Sequence, residues 1–355
     1  MKTTLPSRLY AALVLAAATI AIAIAAPAQT FTTLDEPDAG SASGQGTIAA
    51  AINTAGTIAG VYIDTNGLGH GFVRSAAGAY TSYDAPSGYT GGVVTGINTS
   101  GVITGYLIDT GGVRHGVVRS KTGVITTFDD PNAGTGNDQG TFGIAINTAG
   151  SITGWYFDSG GVHRGYVRSK TGGFTNFDVT GAGTSKGQGT IPGAINTAGT
   201  ITGSDRDSSG VFHGFERTAS GTITTFDVTG AGTGNLQGTN ATGINTKGTI
   251  AGWYIDASGV GHGFVRATTG AITSFDPTGS VSTIVFGINT AGTITGVYGT
   301  SSGATYGFER SAKGAITSFE LPGDTGLEMG INTAGDVTGY YTDSGSVYHG
   351  YLFVP

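Results

Sequence analysis

The tripeptide Ile-Asn-Thr occurs seven times in this 355-residue chain, with its asparagine at Asn53, Asn98, Asn147, Asn196, Asn245, Asn289 and Asn332. The intervals are 45, 49, 49, 49, 44 and 43 residues, a period of propeller blades rather than of helical solenoid repeats. No unit shows helical periodicity; each holds four short runs rich in β-branched and aromatic residues. In the third unit these are Gly143 to Asn147, Ser151 to Asp158, Arg164 to Ser169 and Phe174 to Asp178. Thr148-Ala149-Gly150, Ser159-Gly160-Gly161 and Lys170-Thr171-Gly172 separate them, and these are hairpin-turn compositions. Four antiparallel strands joined by tight hairpins make one blade.

A second marker is the acid that ends the fourth run. It follows the asparagine by 31 residues in six units, at Asp84, Asp129, Asp178, Asp227, Asp276 and Glu320. The units are therefore constant in length, and only the connection from that acid to the next asparagine varies. Counted from Asp35, those connections are 18, 14, 18, 18, 18, 13 and 12 residues long. The last unit reaches Pro355 after three runs, whereas Phe31-Thr32-Thr33-Leu34-Asp35 reads like a fourth run with no first three before it. Pairing the two removes both exposed edges. The expected fold is all-β: a seven-bladed β-propeller of four-stranded antiparallel blades, its ring closed by an N-terminal strand on three C-terminal ones. An open solenoid would leave that strand without a partner.

The unit Ile-Asn-Thr-Ala-Gly, then Ile-x-Gly-x-Tyr-x-Asp, then His-Gly-Phe resembles the HAF-type repeat of secreted bacterial proteins, over nearly the whole chain after the leader. It departs in detail, since His70-Gly71-Phe72 has glycine where the family name has alanine. The resemblance implies export and a repeat architecture; it implies no reaction.

Glycine supplies 66 residues, yet without a three-residue period, so a collagen-like chain is excluded. Disorder is excluded by the aromatic and β-branched runs and by a charged share of only 11%. The glycines fall in hairpin turns, in connections, and at strand positions such as Gly60, Gly71, Gly105 and Gly154, where close approach of neighbouring blades is expected. Cysteine is absent, which removes disulfides, thiol nucleophiles and thiolate metal ligands. Residues 1–28 read as a signal peptide, with Lys2 and Arg8, an apolar run from Leu9 to Ala26 and an Ala26-Pro27-Ala28 cleavage site; an uncleaved anchor is the alternative. Residues 29–355 then form one propeller domain, secreted or periplasmic, with no membrane span after leader removal. Loss of Lys2 and Arg8 leaves 14 basic against 23 acidic residues, a net charge of −9, which argues against a nucleic-acid partner.

Every histidine belongs to the repeat. Centring one hairpin on Gly67 and the next on Ala77 places Asp64, His70 and Asp84 in one row on one face. The corresponding rows are Asp109, His115 and Asp129; Asp207, His213 and Asp227; Asp256, His262 and Asp276; and Asp343, His349 and Asp35, the last from the other end of the chain. In the third unit Arg164 takes the central place between Asp158 and Asp178, with His163 displaced by one; in the sixth Tyr306 does so and the first acid becomes Thr300. The rows read as structural pins, because six copies of one polar bond suit a repeat better than six copies of a catalytic group. One histidine per unit does not assemble a zinc site, and Asp64-Thr65-Asn66-Gly67 lacks the bidentate glutamate of a calcium loop. Arg74, Arg119, Arg168, Arg217, Arg266 and Arg310 are read by default as facing solvent, the alternative being that they reach acids on neighbouring blades. No metal, cofactor or catalytic residue is assigned.

A ring needs broken symmetry to make one site. The 18-residue connections share Gln-Gly-Thr, and Gln139, Gln188 and Gln237 lie on adjacent units, raising a wall of amides that either binds a ligand or caps the blades. The fourth unit reads Ser204-Asp205-Arg206-Asp207 where the fifth reads Trp253-Tyr254-Ile255-Asp256, and Trp155 matches Trp253 in the third. Aromatics with amides and carboxylates suit sugar rings, but packing between blades is the first reading of these aromatics, and the charges at Asp205 and Arg206 either pair internally or meet a ligand. No Gly-x-Ser-x-Gly elbow, His-Glu-x-x-His or P-loop pattern is present. The leading reading is a secreted, non-enzymatic binding propeller for glycans or cell-surface material. The alternatives are a polysaccharide hydrolase or lyase with its site near the fourth unit, and a purely structural extracellular scaffold.

Overall fold

The computed structural model describes residues 29–323 and 325–355. The leader read over residues 1–28 lies outside the described residues. Those described form no helix, and none therefore forms a helix long and apolar enough to cross a membrane.

Antiparallel ladders collect the strands into groups of four. In the third unit the strands are Gly140–Ile146, Ile152–Phe157, His163–Arg168 and Phe174–Phe177. The first strand carries a β-bulge between Gly143 and Ala145, and the same bulge recurs between Ala49 and Ala51, Pro192 and Ala194, and Ala241 and Gly243. A bulge adds twist and bends the strand, here at the innermost strand of each unit. The strand Thr30–Leu34 pairs antiparallel with Tyr348–Val354, Leu34 facing Gly350.

The four-stranded groups are not all separate sheets. Units two to five merge into one sheet of 16 strands, and unit seven joins unit one, through parallel bridges of a single residue pair. These bridges set Gly46 against Tyr348, Gly140 against Arg114, Gly189 against His163 and Gly238 against Phe212. Each is the glycine of a Gln-Gly-Thr connection. Gly140 has φ +112, and a Cβ there would lie 2.0 Å from the Arg114 carbonyl oxygen, so glycine alone fits. Units entered by the shorter connections lack the motif, and there the sheet breaks.

The core repeats as well. Ile58, Ile152, Ile201 and Ile250 on second strands and Phe72, Phe215, Phe264 and Phe308 on third strands are essentially fully buried. Sequestering each side chain contributes about 1.5–3 kcal/mol. Gly60, Gly71, Gly105 and Gly154 serve packing inside their own units rather than the expected blade-to-blade approach, which other strand glycines provide, Gly143 facing the Gly105 carbonyl of the preceding unit. A Cβ on Gly60 would meet the Ile48 carbonyl oxygen at 2.1 Å and the Phe72 ring at 2.7 Å, both of its own unit.

Five of the six recurrent arginines tie neighbouring units and do not simply face solvent, whereas Arg74 lies over Tyr80 of its own unit at 5.8 Å. Arg119 lies over Tyr83 of the preceding unit at 4.4 Å, Arg168 over Phe128 at 4.6 Å, Arg217 over Phe177 at 4.7 Å, Arg266 over Phe226 at 4.8 Å and Arg310 over Phe275 at 4.8 Å. Desolvated cation–π contacts of this kind are each worth on the order of 1–2 kcal/mol. In unit seven the position is Phe353, which stacks on Phe319 at 4.0 Å.

Candidate functional site

The Asp-His-Asp rows assemble. His70 Nδ1 is 2.6 Å from Asp84 and Nε2 is 3.5 Å from Asp64. The same two contacts are 3.0 and 3.4 Å at His115 with Asp129 and Asp109, 3.0 and 3.6 Å at His213 with Asp227 and Asp207, and 2.7 and 3.6 Å at His262 with Asp276 and Asp256. His349 joins Asp35 at 2.9 Å and Asp343 at 3.6 Å. Arg164 holds Asp158 at 3.1 Å and Asp178 at 2.9 Å in the third unit.

The long and short arms have a register origin that corrects the expected pairing. Tyr62, not Asp64, lies directly opposite His70, because the first hairpin centres on Asn66 rather than Gly67. Asp64 is a diagonal neighbour on the same face, so it still reaches the ring, but less closely. Its Oδ1 is occupied by the turn, accepting from the N–H of Asn66 and Leu68. Burial presses the imidazoles of His115, His213 and His262 down, yet the flanking carboxylates outweigh it and all three titrate above the ordinary histidine range. Among the described residues no group of histidines and acids could hold a metal ion.

Each glutamine clips its connection to a hairpin turn of its own unit. Gln139 Oε1 accepts from Gly136 N–H and its Nε2 donates to Ser159 O; Gln188 and Gln237 do the same with Ser185 and Ser208, and with Gly234 and Ala257. The following threonine accepts a backbone N–H, as Thr141 does from Asp130. The amide wall is thus an internal clip. Trp155 is stacked on Phe142 at 3.8 Å, and Trp253 packs on the cluster of Val285, Ile294 and Phe308, so neither indole is a free platform.

Asp205 is interior, at 2% exposure, and lies directly across the hairpin from His213, where the other units place a tyrosine or, in the second, Leu107. Its Oδ1 is buried without a hydrogen-bond partner. Burial, with Asp227 and Asp207 nearby and partly offset by His213, pushes its carboxyl up to about 6. It cannot meet a solvent-borne ligand.

Arg206 ties two connections together, donating to Gly187 O at 3.1 Å and to Asn235 Oδ1 at 2.9 Å. This fills the space between the connections of units four and five. Between units three and four the matching position is Phe157, which donates nothing, and there a cleft of about 330 Å³ stays open. Asn137, Asp138, Gln139, Phe157, Gly161, Lys186 and Gly187 line it, so the expected Gln139 does border an opening even though its amide is hydrogen-bonded internally. Asp138 adopts φ +65, a left-handed conformation uncommon outside glycine, and its carboxylate is paired with Arg114. Sequence reasoning reached this part of the ring through Gln139 and Gln188 but missed Phe157 and Lys186. The available signal was asymmetry, since Phe157 stands where other units have Ile63, Ile108, Arg206, Ile255, Gly299 or Thr342.

A second cavity runs along the middle of the molecule, lined by the Ile-Asn-Thr triplets of all seven units. Around it Asn53 Nδ2 donates to Asn98 O, Asn98 to Asn147 O, Asn147 to Asn196 O and Asn196 to Asn245 O, at 3.1–3.2 Å. Each repeated asparagine also accepts from its own turn, as Asn53 Oδ1 does from Ala55 and Thr57. These bonds account for the invariance of that residue along the chain.

Four-stranded antiparallel units with their inner strands around one channel are the build of a β-propeller. The chain is similar in fold to virginiamycin B lyase from Staphylococcus aureus, with 16% identity, 92% of this chain and 100% of that chain covered and a TM-score of 0.59. It is similar also to the β-propeller domain, of open velcro topology, of the Trilobed protease from Pyrococcus furiosus (9%, 86% and 95%, 0.55). The BP39L lectin from Burkholderia pseudomallei matches with 9% identity, the same coverages and a TM-score of 0.53. At such identities the likeness is one of fold. No family model matches the chain, and no curated protein does.

Proposed function

We propose that this chain is a secreted, non-enzymatic binding propeller of the HAF-repeat type, which holds glycans in the cleft between its third and fourth units. Its seven four-stranded units form one ring, sealed by Thr30–Leu34 on the C-terminal strands. The carrying observation is the cleft itself, open where Phe157 stands in the place that Arg206 takes in the next unit. An aromatic ring beside the Asn137 amide and the Asp138 carboxylate suits a sugar's apolar face and hydroxyls. That a lectin shares the fold supports the reading by analogy. The pairing of Thr30–Leu34 with Tyr348–Val354, and a central cavity lined by seven triplets, support the closed ring. A hydrolase or lyase centred on Asp205 is disfavoured by the burial of that carboxylate and by the commitment of Arg206 to two connections.

The test is a glycan array probed with residues 29–355 and with Phe157→Ala. Binding by the parent chain that falls about tenfold in the variant is the expected result. No bound glycan at high protein concentration overturns the proposal.

A further inference from the structure

Resting on the glycan reading of this cleft, we infer that its ligand is an acidic saccharide whose anionic group is received by Lys186. The cleft is locally basic in a protein whose formal net charge is −7. Lys186 is exposed at its rim and makes no ion pair among the described residues. Its stem runs along the hairpin at Gly161, where a Cβ would lie 3.0 Å from Lys186 Cγ, so the ammonium is carried over the opening. The one lining carboxylate, Asp138, is answered by Arg114 and accepts from Asn137 Nδ2 at 3.0 Å, which leaves Lys186 uncompensated.

Arg206 adds to the field from behind. It donates to the Gly187 carbonyl at the cleft wall, and its charge contributes, after burial, to holding His163 below the ordinary histidine range. Phe157 packs at 4.3 Å from His163 and 5.0 Å from Trp155, which fixes its ring as one wall. A rigid aromatic wall and a single unpaired ammonium over it match a sugar ring bearing a carboxylate or sulfate better than a neutral sugar.

Titration calorimetry on residues 29–355 with galacturonic acid oligomers, sulfated dextran oligomers and neutral dextran oligomers tests this. Acidic oligomers should bind more tightly than neutral ones, Lys186→Gln should weaken them roughly tenfold, and Lys186→Arg should restore most of the loss. Whichever acidic series binds names the group. Preference for neutral oligomers, with Lys186→Gln silent and Phe157→Ala damaging, overturns this inference and leaves the glycan reading standing. Binding by none of the three series, together with a blank array, overturns both. Lys186 is exposed, so its variants should fold as the parent does, and circular dichroism checks this.

Discussion

Asp205 faces His213 directly across a hairpin, in the place where Tyr62 stacks on His70 at 4.9 Å and Tyr254 on His262 at 5.0 Å. A buried carboxyl with one oxygen unbonded stands where sibling units bury a phenol ring. With its folded value near 6, above the ordinary 3.8, Asp205 binds protons more tightly in the folded than in the unfolded chain. Its contribution is therefore favourable below about pH 4 and is lost as pH rises through 6, costing roughly 2–3 kcal/mol at pH 8. Asp205→Tyr should raise the unfolding midpoint at pH 8 by several degrees and much less at pH 4. Equal destabilisation at both pH values would show that the site has not room for the ring.

The missing arginine of unit seven has a separate consequence. In unit four Glu216 is answered by Arg266 of the next unit at 2.8 Å, but the residue that would answer Glu309 of unit six is Phe353. Glu309 Oε1 is buried without a partner, and burial, with Asp336 close by, pushes its carboxyl up to about 7. Stability from this group is present below about pH 4.5 and drains away as pH rises through 7. Full sequestration would make that about 3 kcal/mol, and the solvent contact the side chain keeps reduces it to about 1–2. Denaturant titration of Glu309→Gln from pH 5 to 9 should show a flatter stability profile than the parent, with the gain at the alkaline end. Parallel profiles would contradict it.

Gly140 should not tolerate a side chain. Alanine there would strain a residue at φ +112 and drive its Cβ into the Arg114 carbonyl, breaking the bridge between units two and three at a cost of about 2–4 kcal/mol. The check is the urea midpoint of Gly140→Ala against Gly44→Ala, which has φ +78 but no atom within 4 Å of the added carbon. Similar losses in the two would mean that strain alone is felt and the bridge contributes nothing.

Removing residues 29–35 should strip the strand from Tyr348–Val354 and leave His349 without Asp35. An exposed edge follows, and with it a lower midpoint and self-association visible by light scattering. An unchanged midpoint in the truncated protein would argue that the N-terminal strand is dispensable for closure.

Much of this was legible in the chain. The seven asparagines, the fixed spacing to the terminal acid and the stray N-terminal run specify four-stranded units and the partner of Thr30–Leu34, because hairpins are local and their period is written residue by residue. The rows around His70 and His349 were legible for the same reason, and even a misplaced turn centre left Asp64 on the correct face.

What tertiary structure decided lies between units. That Gly140 stitches two units into one sheet, that Arg119 lies over Tyr83, and that Arg206 closes one cleft while Phe157 leaves the next open all depend on the distance and angle at which neighbouring units meet. Periodicity constrains the backbone inside a unit; side chains reaching across an interface answer to packing, and no spacing in one chain reports which of them finds a partner.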